Sequence, residues 1–323
     1  MAVPVCGVGH PAVQSRGHQS NDAPPVARTA AWSRSGGRSA SNLGAMQDLA
    51  GKVAVVTGGA SGIGLAMARR FGQEGMRLVL ADIERSPLEA AAAQLADAGH
   101  EVLAVPTDVS SPDSVAALAA VTFEQFGTAH LVCNNAGVGP PGGILETPLA
   151  EWRWIMDVNF WGVLHGVRTF VPRFVDQNEG HVVNTASVAG LLTQPGMAAY
   201  NVSKHGVVVL SESLLYEMEM LEARVGVSVV CPAWTRTAIH ESDRNRPPGA
   251  EGAAGPVTER VRAAADRLYE RSHRSPGEVA ERVLEAVLED RFYVITHPGV
   301  MPFVERRHED IRLQRNPSVE QGL

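Results

Sequence analysis

The stretch Val53-Ala-Val-Val-Thr57-Gly58-Gly-Ala-Ser61-Gly62-Ile63-Gly64 runs from an apolar strand-like segment into a glycine-rich loop, and Leu65 to Gln73 then reads as helix. Strand, glycine loop and helix together form the geometry a pyrophosphate needs. Glycines let the backbone turn tightly and come close to the phosphates, and the helix N-terminus offers free N–H groups and the positive end of its dipole. Side chains at Gly62 or Gly64 would obstruct that approach. The spacing is TGxxxGxG, not GxGxxG, so the neighbouring sequence has to support the reading. Gly58, Ser61, Gly62, Ile63 and Gly64 are the candidate phosphate-binding positions.

Support comes from the next strand-like run, Leu78 to Asp82. It closes on an acid 18 residues past Gly64, where a carboxylate can accept hydrogen bonds from ribose hydroxyls. A 2′-phosphate at that place would meet a like charge. Ile83 is not basic and Arg85 is the only cation nearby in sequence, so NAD is favoured over NADP.

Further strand-like runs fall at Val102 to Val105, Leu131 to Asn134, His181 to Thr185, Val227 to Cys231 and Phe292 to Thr296, with longer amphipathic stretches between them. The alternation predicts an α/β fold: a doubly wound, Rossmann-type, parallel seven-stranded sheet with helices on both faces, in a single domain over residues 46–300. Ser86-Pro87-Leu88-Glu89 and Ser275-Pro276-Gly277-Glu278 read as capping boxes, each with proline at the first helical position. Ser111-Pro112 and Thr147-Pro148 repeat the cap-then-proline pattern.

The 323 residues are 45% hydrophobic and 20% charged, enough apolar material for a sizeable core. A net charge of -7 without a long basic run argues against nucleic acid or anionic lipid and for a small-molecule partner. No stretch approaches the roughly 18 to 20 apolar residues needed to span a bilayer. Cys6, Cys133 and Cys231 cannot all pair and show no ligand spacing, which suggests a reducing, cytoplasmic setting and no metal. Residues 1–45 are rich in Ala, Gly, Ser, Pro and Arg and are expected to be a disordered extension. Arg16, Arg28, Arg34 and Arg38 against Asp22 also suit a transit peptide, while Met46 would open a complete domain, so targeting, an idle extension and an early start codon all remain open. Residues 301–323 read as a C-terminal tail.

The chemistry lies in Tyr200-Asn201-Val202-Ser203-Lys204, at the head of a long helical pattern reaching Arg224. Tyr200 and Lys204, at i and i+4, share a helix face. A phenol of pKa about 10 is a weak acid/base at neutral pH, and a nearby ammonium stabilises its phenolate. Ser187, 13 residues upstream, follows a strand whose C-terminal end faces the ligand crevice, where its hydroxyl can hold a substrate oxygen.

These residues, with Asp108-Val109, Asn134-Asn135-Ala136-Gly137 and Asn159, resemble the short-chain dehydrogenase/reductases of the compact single-domain type over about Ala50 to His297. The resemblance implies hydride transfer between NAD(H) and a carbonyl or alcohol carbon, with Tyr200 as acid/base and Ser187 holding the substrate oxygen. It places Asp108 and Val109 beside the adenine and makes Asn135, with Ala136 and Gly137, a support for cofactor and sheet. Lys204 would also bind the nicotinamide ribose, and Asn159 would hold a water linking Lys204 to solvent. Pro232, Thr235 and Thr237 would lie by the nicotinamide. Ala233 stands where the family has glycine; a positive φ would strain an alanine by roughly 1 kcal/mol, so either the backbone there is ordinary or the nicotinamide contact is slightly altered. A homotetramer or homodimer is implied through Thr147 to Phe174 and Tyr200 to Arg224, with Trp161, Val208 and Leu215 as apolar contacts.

Leu191, Leu192, Met197 and Trp234 are expected to form an apolar pocket suited to a secondary alcohol or ketone with hydrophobic flanks. Trp152, Trp154 and Trp161 are read as helix packing or interface. Ala238 to His273, rich in Pro and Gly and then amphipathic, is expected to be a loosely packed, hinged lid. An NADP-dependent reductase of acyl-thioester carbonyls would want basic residues near Asp82. A non-catalytic dinucleotide-binding scaffold would normally lack Tyr200 or Lys204.

Overall fold

β1 (Val53–Thr57) is buried along its whole length, and its alternate side chains feed two apolar layers. Ala54 and Val56 face Met67, Phe71 and Leu80; Val53 and Val55 belong with Phe170 and Phe174 on the other side. A strand apolar on both faces requires helices on both faces, as in parallel sheets. The structure, a computed structural model, describes residues 46–271 and 274–317. The expected N-terminal extension, Cys6 included, lies outside the described residues.

The remaining strands are β2 (Arg77–Asp82), β3 (Val102–Pro106), β4 (Leu131–Asn134), β5 (Gly180–Thr185), β6 (Val225–Cys231) and β7 (Tyr293–Ile295). All seven are parallel, in the order β3-β2-β1-β4-β5-β6-β7. Each falls on a run expected from sequence. α1 (Gly62–Gln73), α2 (Arg85–Asp97) and α8 (Pro276–Glu289) cover one face; α3 (Pro112–Phe126), α5 (Gly162–Asp176) and α6 (Ala198–Met220) cover the other. The winding reverses between β1 and β4, so their C-terminal ends border an open crevice. α4 (Leu149–Met156), α7 (Pro256–Arg271) and α9 (Met301–Arg312) lie outside this sandwich of layers. Among the described residues, no helix is long and apolar enough to cross a membrane.

Two helix starts differ from expectation. The Asp82 carboxylate accepts from the Glu84 N–H, which turns the chain early, so α2 starts at Arg85 and Ser86 lies within its first turn. The Thr147 hydroxyl donates back to Gly143 O, which leaves Pro148 as the cap of α4. Ser111 and Ser275 do cap α3 and α8, and Ser275 with Glu278 completes a capping box. The expected interface residues also need correction: Val208 is buried in the molecule's own core and Leu215 packs against it. The exposed apolar side chains of α6 are Val202, Val209, Tyr216 and Met220, and Trp161 is half exposed just before α5.

Ser275→Ala is expected to cost about 1 kcal/mol of stability in urea unfolding, the usual value of an N-cap, while Ser86→Ala stays within about 0.5 kcal/mol.

Candidate active site

The crevice is held open from below by one hydroxyl and one amide. The Thr57 hydroxyl donates to Cys133 O (3.3 Å) and accepts from the Asn135 and Ala136 N–H groups (2.9 and 3.2 Å). Asn135 Nδ2 donates to Thr57 O at 3.1 Å and Gly58 O at 3.4 Å, and its Oδ1 accepts from the Thr185 hydroxyl. Three strand ends are thereby tied together. Gly58 and Gly62 have φ of +63° and +54°, a conformation glycine adopts without strain. A Cβ on Gly64 would lie 2.0 Å from Gly58 O, so what a side chain there obstructs is the seating of α1 against the loop itself.

At one end of the crevice, Asp82 accepts from Ala60 N–H (3.1 Å) and from Glu84 N–H (3.1 Å). Burial pushes its carboxyl above the ordinary range, and these backbone donors partly offset the shift. Asp108 accepts from both the N–H and the hydroxyl of Ser110, and Val109 packs over Gly162. Arg85, expected from sequence to be the only nearby cation, is exposed and faces Glu89. The cation that faces this end is Arg244: its Nε and Nη2 donate to the two carboxylate oxygens of Glu84, each at 2.9 Å.

At the other end, Ser187 follows β5 and Tyr200 lies in the first turn of α6, and the two hydroxyls are hydrogen-bonded. Ser187 Oγ also donates to Pro232 O and accepts from Ala189 N–H. Burial raises the Tyr200 phenol above its usual pKa, and the Ser187 bond opposes that shift. Lys204 is 2% exposed, and its Nζ donates to Thr185 O at 2.9 Å and lies 5.7 Å from the centre of the Tyr200 ring. Burial pulls its ammonium down to about 8. Gly137 borders this pair: a Cβ there would touch Lys204 Nζ at 3.4 Å and crowd Asn159 Oδ1 at 3.2 Å.

Asn159 sits in a single π-helical turn, Asp157–Trp161, between α4 and α5. π turns recur at functional sites. Its amide exchanges hydrogen bonds with both backbone groups of Val138 and donates to Ser203 Oγ, so its side chain is largely committed to protein partners. Ala233 has an ordinary negative φ, which resolves the question its replacement of glycine raised; its N–H donates to His297 Nδ1. The Thr237 side chain accepts from Ile239 N–H and begins the short helix Ala238–Asn245.

A cavity of about 870 Å³ joins the two ends. Gly58, Ser61, Gly62, Ile63, Asp82, Asp108 and Val109 line it on the loop side. Asn135, Ala136 and Gly137 line it between, and Ser187, Tyr200, Lys204, Pro232, Thr235 and Thr237 on the catalytic side. Gly64 and Asn159 lie behind this lining. Met197 and Trp234 face the cavity as expected, whereas Leu192 is buried and Leu191 packs against the core. Trp154, expected to serve helix packing or an interface, also lines the cavity, beneath the Arg246 guanidinium at 5.0 Å.

The segment following β6 is fastened more tightly than its composition suggests. Arg246 pairs with the buried Glu151 (2.8 Å), Ser242 Oγ accepts from Gly139 N–H, and Glu146 accepts from Val257 and Thr258 N–H at the start of α7. Charged side chains supply contacts that an apolar pattern cannot reveal. Arg244, Arg246, Glu84 and Glu151 escaped the sequence reading because each partnership joins residues about a hundred positions or more apart, 160 for Glu84 and Arg244 and 95 for Glu151 and Arg246.

The family model for short chain dehydrogenases matches residues 52–248. The chain belongs to this family. It is thus an NAD(P)-dependent oxidoreductase acting on CH–OH groups. A short-chain dehydrogenase/reductase from Burkholderia phymatum, solved in complex with NAD, is 44% identical, with a TM-score of 0.82, covering 84% of this chain and 98% of that one. The 1-deoxy-11-beta-hydroxypentalenate dehydrogenase of Streptomyces arenae is 37% identical over 80% of this chain and 87% of its own length. The CLA biosynthesis dehydrogenase/reductase of Lactiplantibacillus plantarum is 30% identical over 85% and 98%.

The depressed Lys204 pKa sets a pH signature for the ligand-free enzyme. Between about 8 and 10.5 the native lysine has lost its proton while the unfolded one keeps it, so the unfolded state binds more protons and stability rises with pH. Urea unfolding across that window should show the wild type gaining stability relative to Lys204→Met; parallel profiles would show that the ammonium is not perturbed.

Proposed function

We propose that this short-chain dehydrogenase uses NAD(H) to interconvert a secondary alcohol and a ketone with hydrophobic flanks, with Tyr200 as the acid/base. The observation that carries the reading is the meeting of the Tyr200 phenol, the Ser187 hydroxyl and the Lys204 ammonium on one wall of a cavity that continues to the glycine loop. The positive-φ glycines and the N-terminus of α1 fit a pyrophosphate, and Asp82 fits ribose hydroxyls. Asp108 and Val109 would flank the adenine, and Thr235 and Thr237 the nicotinamide. The bound dinucleotide supplies or accepts the hydride.

Ser187 lies within hydrogen-bonding range of the phenol, so an oxygen held by one can be reached by the other. In reduction, Tyr200 gives its proton to the carbonyl oxygen as that oxygen becomes a hydroxyl; in oxidation the phenolate takes it back. Lys204, held by Thr185 O, places positive charge beside the phenol where the phenolate has to form, and its lowered pKa lets it pass a proton near neutral pH. Asn159 acts as a positioning residue by clamping Val138 and Ser203 around this pair. Trp154, Val188, Met197 and Trp234 surround the substrate end, which favours an apolar body on either side of the reacting carbon.

Tyr200→Phe is expected to lower turnover about 10² to 10⁴-fold while NADH affinity changes by no more than a few fold, because only the proton-transfer hydroxyl is lost. A panel of secondary alcohols and ketones, followed by nicotinamide absorbance with NAD and NADP, measures this; wild-type turnover in the variant would overturn the assignment.

Val202, Val209 and Tyr216 recur every seventh residue and form an exposed apolar stripe along α6 with Met220, a surface suited to a second copy of the chain. Light scattering should give a dimer or tetramer mass, reduced by Val209→Glu with Tyr216→Glu; a monomeric wild type would refute the assembly.

A further inference from the structure

Two carboxylates stand at the ribose end of the cavity, Asp82 at the close of β2 and Glu84 two residues on. They repel each other, and Glu84 adds to the upward shift of the Asp82 carboxyl. Arg244, on the short helix after β6, meets this charge from across the cleft and interacts electrostatically with both.

The geometry of the guanidinium is specific. Nε and Nη2 engage Glu84 in a bidentate pair, and Nη1 donates to Ala238 O (3.1 Å) and Glu241 O (3.0 Å) on its own helix. Four of the five N–H donors are thus in use. Asn245 adds a further side-chain hydrogen bond to Glu84. Glu84 has no capping role toward α2, because its side chain makes no cap hydrogen bond. Its interactions go to the segment across the cleft.

We infer that Glu84 and Arg244 form a coenzyme-discriminating clasp, in which Glu84 holds the arginine at the ribose end with four of its five donors committed and so withholds it from a 2′-phosphate. The inference rests on reading the cleft as a nicotinamide-dinucleotide site. A ribose with a free 2′-hydroxyl leaves the clasp intact. A 2′-phosphate, carrying nearly two negative charges beside Asp82, has to pull Arg244 away and leave Glu84 uncompensated. The exclusion of NADP is therefore shared between Asp82 and Glu84. Removing Glu84 turns Arg244 from a locked structural cation into a phosphate ligand.

Cofactor binding tests this without a known substrate, because Trp154 and Trp234 line the cavity and report NADH or NADPH by fluorescence quenching. The full chain is expected to bind NADH more tightly than NADPH. In Glu84→Ala the ratio of the NADPH to the NADH Kd should fall by about tenfold to a hundredfold, the range of a charge-assisted hydrogen bond. Glu84→Gln should move it the same way, and Glu84→Ala with Arg244→Ala should lose the gain, with melting curves confirming that each variant is folded. An unchanged ratio in both Glu84 variants, or a gain that persists without Arg244, overturns the clasp. A wild type that binds both cofactors equally also overturns it while leaving the dinucleotide site standing; one that binds neither refutes the site itself.

Discussion

β1 and β4 lie side by side in the sheet while the connections that leave them pass to opposite faces, and the gap between their C-terminal ends opens into the cavity. Such a gap exposes backbone groups that the ladder no longer satisfies. Thr57 and Asn135 satisfy them, one hydroxyl and one amide joining β1, β4 and β5 below the cavity. The glycines extend the same constraint upward. With Gly64 lacking a side chain, α1 can seat on the carbonyl of Gly58, and the helix N-terminus then points into the gap.

The catalytic wall carries an opposite strain. Lys204 is almost wholly buried, and a buried ammonium is costly unless it is hydrogen-bonded. Thr185 O, at the end of β5, provides that bond, and Gly137 and Gly190 leave room for the lysine and its helix to come close. The same burial that makes the lysine expensive lowers its pKa and raises that of Tyr200, moving apart two groups whose ordinary pKa values nearly coincide.

The covering segment follows a different logic. Its prolines and glycines cannot form a packed apolar layer, and arginines anchored on distant acids hold it instead: Arg244 on Glu84 near the end of β2, Arg246 on the buried Glu151 above Trp154. Ion pairs of this kind can be broken and remade at modest cost where they are partly solvated, as the Arg244 pair is.

Strand positions, the doubly wound sheet, the glycine loop and the Ser187, Tyr200 and Lys204 set were legible in the chain, because each depends on periodicity or on spacing within one or two elements. The capping box at Ser275 was legible for the same reason, and the one expected at Ser86 was not, since a carboxylate from the preceding strand end started the helix first. Long-range partnerships left no local trace. Whether Val208 faced the core or solvent, whether Trp154 met the cavity, and which arginine paired with Glu84 were decided by how helices and the segment after β6 pack on the sheet. Local patterns specify elements and the chemistry at their ends; only packing in three dimensions specifies which charges, brought from distant parts of the chain, come to share one site.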